Sequence, residues 1–301
     1  MKIASTIKGY IYAIIAVIAV SNVYIFSKAA LSEISLPQFG TYWFAFGLLW
    51  VLIYAKYRKA FKTFKTLTKK NYLTLFFLGS FDVISTFFFF KAIFTISNPS
   101  IVSFIGNISP AFVIALSVLL LKERFNKLEI FGVFLAITGA FIISYKGNAN
   151  FNDMFINGSQ YVLYGSLISS VNMVVVKKNI KNIPPITLTL SRTLFLLVFS
   201  IIALVLSQKE LAIPTTALKN IFIGSFLGPF LTVIFGYLAL QYIPLSRKAI
   251  IGSTKGLFVL FGSYIYFGNF PRPIALVGGL VTIIGVLFIA FGKMKLIKEK
   301  S

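Results

Sequence analysis

Residues 72–93 read YLTLFFLGSFDVISTFFFFKAI. The run is apolar on every helical face, because Phe87 to Phe90 cannot all point to one side. A stretch of this length crosses the roughly 30 Å hydrocarbon core of a bilayer as one α-helix. The backbone has to be helical wherever lipid touches it, since nothing else there satisfies its N–H and C=O groups. One carboxylate, Asp82, falls in the middle. An ionisable side chain at such a depth costs about 2.5–3.5 kcal/mol and needs a partner or a wet cavity.

The same kind of run recurs outward in both directions, at 9–27, 37–55, 98–120, 128–145, 158–176, 186–206, 219–240, 247–267 and 273–292. With 72–93 this predicts an all-α integral membrane protein of ten transmembrane helices. The composition agrees: 58% of the residues are hydrophobic, only 12% are charged, and the mean hydropathy is +0.90. Pro37, Pro184 with Pro185, and Pro271 with Pro273 stand where helices are expected to start, positions whose N–H groups need no partner. The N-terminal MKIASTIKGY leads into the first span and is read as part of it, not as a cleaved signal.

A net charge of +22 in a soluble chain would suggest nucleic acid. Here the basic residues lie in the connections between spans, which points to membrane lipids and to topology. With an inner N-terminus, the inner segments hold Lys2 and Lys8, the cluster from Lys56 to Lys70, then Lys122, Arg124 and Lys127. They go on to hold Lys177, Lys178 and Lys181, Arg247 and Lys248, and the lysines from Lys293 to Lys300. The outer segments hold only Lys28, Lys91, Lys146, Lys209, Lys219 and Arg272. Both termini are therefore expected in the cytoplasm of a cell whose inner (plasma) membrane the chain crosses many times. No cysteine and no histidine are present, so thiolate and imidazole metal sites are missing and no cofactor is expected.

The chain repeats itself at a spacing of about 146–149 residues. Gly9, Tyr12, Ser21 and Lys28 match Gly158, Tyr161, Ser170 and Lys177, Asn22 falls one position from the match of Asn172, and Gly132 and Gly139 match Gly278 and Gly285. Residues 1–147 and 148–301 thus form two five-helix repeats. Five is odd, so the repeats cross the membrane in opposite senses, as in transporters whose substrate binds at the midplane between inverted halves.

Three ionisable residues lie inside spans: Asp82, Arg192 and Lys255. One acid cannot neutralise two bases, which leaves positive charge for an anionic group on a substrate. Asn22, Asn107 and Asn172 add neutral donors and acceptors at similar depth. Lys255 is expected to face a cavity between the halves, offset there by water, Asp82 or a bound anion. Trp43 and Trp50 suit either the cavity or a membrane interface, and Gly228-Pro229 is expected to break its helix.

The segment Pro110-Ala-Phe, the apolar run ending Leu121-Lys-Glu-Arg124, and Gly132 and Gly139 together resemble the EamA-type transporters of the drug/metabolite transporter superfamily, whose members carry two five-helix repeats. Arg192 is similar to a basic residue that the family often carries early in the second helix of a repeat. Asn269 replaces the Glu that would match Glu123, Lys255 and Gly256 stand where a Pro would match Pro110, and Phe44 stands where an Arg would match Arg192. The resemblance implies a secondary transporter, an exporter of a small metabolite such as an amino acid or organic anion, driven by protons or by an exchange substrate. The competing expectations are a membrane-embedded enzyme or lipid-handling protein acting on an anionic headgroup, and a non-transporting protein with a sealed core.

Overall fold

Prolines and short polar caps decide where the helices begin. The computed structural model describes residues 2–61, 66–121, 126–145, 155–268 and 270–298. Helix α1 is Lys2–Leu31; α2 is Leu36–Tyr57, opened by a capping box of Ser35 and Gln38 with Pro37 in its first turn. Helix α3 is Lys69–Thr95, capped by Thr68, and α4 is Pro99–Ile105, capped by Asn98. A single 3₁₀ turn, Gly106–Ile108, leads into α5, Ser109–Leu121. Helix α6, Lys127–Ser144, starts with an Asn126–Glu129 capping box. Then follow α7, Ser159–Asn179; α8, Pro185–Leu206; and α9, Thr215–Ser225. A π-helical stretch, Phe226–Thr232, joins α9 to α10, Val233–Tyr242. Last come α11, Leu245–Ser253; α12, Lys255–Phe267; and α13, Pro273–Lys298.

Among the described residues the chain is all-helical, with one isolated bridge between Tyr145 and Phe155. Seven helices are long and apolar enough to cross a membrane, and Pro99–Val113 and Pro273–Phe288 are shorter apolar helices. Lys122, Glu123, Arg124 and Asn269 of the family-like pattern lie outside the described residues, as do Lys62, Lys65, Lys146, Asp153 and Lys300.

Three of the expected spans are broken, one at Gly228-Pro229 as anticipated and two where a continuous helix is expected. Pro110 has no N–H to give the Gly106 carbonyl, so the chain tightens and Ser109 N–H donates to Gly106 O instead. Pro229 likewise frees the Ser225 carbonyl; here the chain widens into the π stretch, and the Thr232 hydroxyl donates to Leu227 O (2.8 Å). The third break, at Thr254, contains no proline. There the Thr254 hydroxyl turns back to Ile251 O (2.7 Å), and α12 restarts at Lys255.

The bundle has two distinct ends. At one, the start of α1, the end of α2, the start of α3, the ends of α7 and α10 and the start of α11 come together over an aliphatic cluster that includes Leu75, Leu78, Val174, Ile180, Leu188 and Leu240. Arg58, Lys59, Lys69, Lys70, Lys178 and Lys181 are exposed there, and we call it the basic end. At the other, Phe39, Trp43, Phe44 and Phe90 interlock, with ring centroids 4.8 Å apart for Phe39–Trp43 and for Phe39–Phe90. We call this the aromatic end.

Helix neighbours are reciprocal. Helix α3 lies along α7 as α9 and α10 lie along α1, and α12 lies along α1 as α5 lies along α7, while α2 pairs with α8 and α6 with α13. The α6–α13 pair is joined through glycines. A side-chain carbon on Gly139 would stand 2.6 Å from the Gly278 carbonyl, so the two backbones are in direct contact.

Candidate functional site

A cavity of about 370 Å³, the size of a small-molecule site, lies between the two reciprocal sets of helices. Its walls come from α1, α2, α3, α7, α8, α10 and α11 and from the three helix breaks. The breaks matter because unsatisfied backbone groups are tolerated at membrane depth only where protein or a cavity receives them. Repeat-matched serines, each also bonded to the preceding turn of its own helix, approach the backbone at two of the breaks. Ser170 reaches Ser109 O (3.3 Å) at the α4–α5 break, and Ser21 reaches Lys255 O (3.4 Å) at the α11–α12 break.

The matched lysines act as a pair too. Lys28 Nζ donates to Ile93 O (3.0 Å) and Ile96 O (2.9 Å), and Lys177 Nζ donates to Leu240 O (2.6 Å) and Ile243 O (3.0 Å). Each ammonium therefore caps the C-terminal carbonyls of a helix, α3 or α10, where the helix dipole favours a cation. This gives Lys28 a reason to stand at the aromatic end, against the general distribution of basic residues.

Within the cavity, Arg192 Nε donates to Asp82 Oδ1 (3.0 Å) and Arg192 Nη2 to Thr86 Oγ1 (3.1 Å). The pair is mostly buried, with 18% and 8% of the two side chains exposed. Asn172 stands beside the Asp82 carboxyl, and its buried Oδ1 has no hydrogen-bond partner among the described residues. Lys255 lines the cavity and donates to Asn107 Oδ1 (2.9 Å), so its partner is an amide and not Asp82. Asn107 in turn donates to Ser253 O (3.1 Å). It is fully buried behind the wall, where it ties one helix break to the other.

Of the six residues singled out in the sequence, Asp82, Asn172, Arg192 and Lys255 line the cavity, and Asn107 supports it. Asn22 does not join them. Its amide donates to Ile18 O (2.9 Å) on its own helix, because one residue along a helix turns the side chain about 100° from the inward-facing Ser21. Two wall residues were not expected. Lys248, read from sequence as part of an inner connection, lies in the first turns of α11 and points its Nζ to Met173 Sδ (3.7 Å) inside the cavity. Tyr237 also faces the ion pair. Trp43 lines the cavity at its aromatic side, whereas Trp50 donates to the Ser225 hydroxyl (3.3 Å) and packs on Phe222 and Phe226.

The model of the EamA-like transporter family matches residues 7–145 and again residues 156–291. The chain belongs to that family. It is a multi-pass membrane protein. An uncharacterized transporter of Synechocystis sp. is 24% identical over 207 residues, an alignment that spans 57% of this chain and 58% of the relative. A solved crystal structure with 12% sequence identity superposes on the chain with a TM-score of 0.69, covering 97% of this chain and 98% of that one. At that identity the likeness concerns the fold alone.

Proposed function

We propose that this EamA-like chain is a secondary transporter that exports a small metabolite, an amino acid or an organic anion, by alternating access through the central cavity. In this reading ten spans form two inverted five-helix repeats, 1–147 and 148–301, in a bacterial inner membrane, with the basic end and both termini in the cytoplasm. The observation that carries it is the Asp82–Arg192 pair, whose acid comes from the first repeat and whose base comes from the second, in the wall of a cavity between them. The reciprocal helix pairing supports the inverted relation, and the exposed lysines and arginines of the basic end support its orientation.

The two ends of the cavity differ. The cavity wall reaches Leu245 and Lys248 in the first turns of α11, towards the basic end, whereas Trp43, Phe44 and Phe90 pack over its other side. The one carboxylate among the described wall residues, Asp82, is committed to Arg192 and so offers no free carboxylate for acid or base chemistry. Counterflow in proteoliposomes tests the reading: amino acids or organic anions loaded inside should drive uptake of the same labelled compound. Flux no greater than in protein-free liposomes, across amino acids, carboxylates and sugar phosphates, would sink it.

A further inference from the structure

Lys248 and Lys255 stand two helical turns apart along α11 and the start of α12, about 10 Å along the axis, and both line the cavity. Their hydrogen-bond partners among the described residues are uncharged: a thioether for Lys248 and an amide oxygen for Lys255. The only acid among the described wall residues, Asp82, is already bound by Arg192. Three cations thus face one anion, and two ammonium groups have no counter-charge. Each ammonium carries three N–H donors, so Lys255 keeps two free even while it holds Asn107. A third feature points the same way. Asn172 is 5% exposed, lines the cavity, and has an unpartnered Oδ1, which calls for a donor from whatever enters.

Resting on the carrier reading above, we infer that the substrate is a small hydroxylated organic dianion, a hydroxy-dicarboxylate or a hydroxylated phosphate monoester. Lys248 and Lys255 hold its negative charges, and Asn172 Oδ1 accepts from its hydroxyl. A zwitterionic amino acid is a poor match. Its carboxylate satisfies one lysine, but its ammonium then meets a second cation with no free carboxylate to receive it. The cavity, at about 370 Å³, has room for such a dianion.

The test uses the full chain purified in detergent and the same protein in liposomes, with malate, succinate, glycerol 3-phosphate and serine as probes. Ligand-induced rise in unfolding temperature reads binding, and counterflow reads transport. Malate or glycerol 3-phosphate should stabilise the protein and exchange, and which of the two does so separates carboxylate from phosphate. Succinate, without the hydroxyl, should bind several-fold more weakly than malate if the carboxylate form is right. Lys248→Met and Lys255→Met should each weaken the dianion at least tenfold, and Lys255→Arg should recover most of the loss.

Stabilisation and exchange by serine with no effect of either hydroxylated dianion would overturn the inference and leave the carrier reading standing. Dianion stabilisation without exchange would keep the site and remove the carrier. Silence from all four probes, or Met variants that bind the dianion as tightly as the parent, would overturn the inference. Probe preference in the unaltered chain decides the matter even where a Met variant fails to fold.

Discussion

Two kinds of positive charge share one cavity, and they are held differently. Arg192 is fixed by Asp82 and Thr86, three side chains that lock α8 to α3 across the two repeats. Lys248 and Lys255 rest on a thioether and an amide, partners that orient an ammonium without neutralising it. The first arrangement braces the bundle; the second leaves charge for a ligand. Depth in the span does not distinguish them. What does is whether the opposing helix supplies a carboxylate.

The comparison breaks most visibly if the brace is cut on one side. Arg192→Met strands the Asp82 carboxylate in a mostly buried site, and losing one partner of a buried pair costs about 3–5 kcal/mol. The variant should unfold at much lower temperature in detergent. The double variant Asp82→Leu with Arg192→Met should recover most of that stability, since apolar replacement of a whole buried pair is often neutral. Recovery of folding without recovery of counterflow would show that the pair also shapes the cavity. Should the single variant unfold like the parent, the pair is not a brace.

Lys255 sharpens the contrast from the other side. Lys255→Met removes a charge at similar length, so the unfolding temperature should move little, while binding of an anionic substrate should weaken by about 1.5–3 kcal/mol, the scale of a charged hydrogen bond. A loss of stability as large as that of Arg192→Met would place Lys255 among the braces. Lys28 and Lys177 fall between these cases because at least two backbone carbonyls partner each of them. Lys28→Met and Lys177→Met should each cost about 1 kcal/mol through a lost helix cap, and each should leave ligand affinity unchanged. Unequal costs would mean that the matched caps are not equivalent.

Much of this was legible before any coordinates. The offset that matches Lys28 with Lys177 and Ser21 with Ser170 proves to join residues with the same local job, a helix cap in one case and a helix break in the other. Charge balance gives Asp82 one of the two bases inside spans as its partner but does not choose Arg192 over Lys255; the choice comes from which helix lies opposite. Lys248 was missed because hydropathy counts a lysine at a span's edge as connection, and only the packing of Gly236 and Met173 around its ammonium end shows that it turns inward. Asn22 was misplaced by one residue of helical phase, which an apolar helix with weakly patterned faces does not fix. The break at Thr254 carries no proline, so no residue announced it.

The smallest expected change in stability concerns Pro229, and it separates a hinge from a fixed bend. A proline inside a regular helix costs about 3 kcal/mol or more, because it removes a hydrogen bond and clashes with the preceding turn. Here the π stretch Phe226–Thr232 already absorbs both effects, and the Thr232 hydroxyl occupies Leu227 O. Pro229→Ala restores an N–H that can reach the Ser225 carbonyl, but full conversion to α-helix would remove the extra residue of the π turn. That would rotate Thr232, Gly236 and Tyr237 by about 100° out of the cavity wall. Trp43 opposes the rotation, since a side-chain carbon on Gly228 would stand only 3.0 Å from its ring. The variant should therefore keep its π stretch and change in stability by less than about 1 kcal/mol. If α9 and α10 flex about this point during transport, the added hydrogen bond should slow counterflow several-fold while leaving ligand-induced stabilisation intact. An unaltered rate would assign the break to static packing around Trp43, leaving the lysine-bearing break at Thr254 as the place to look for motion.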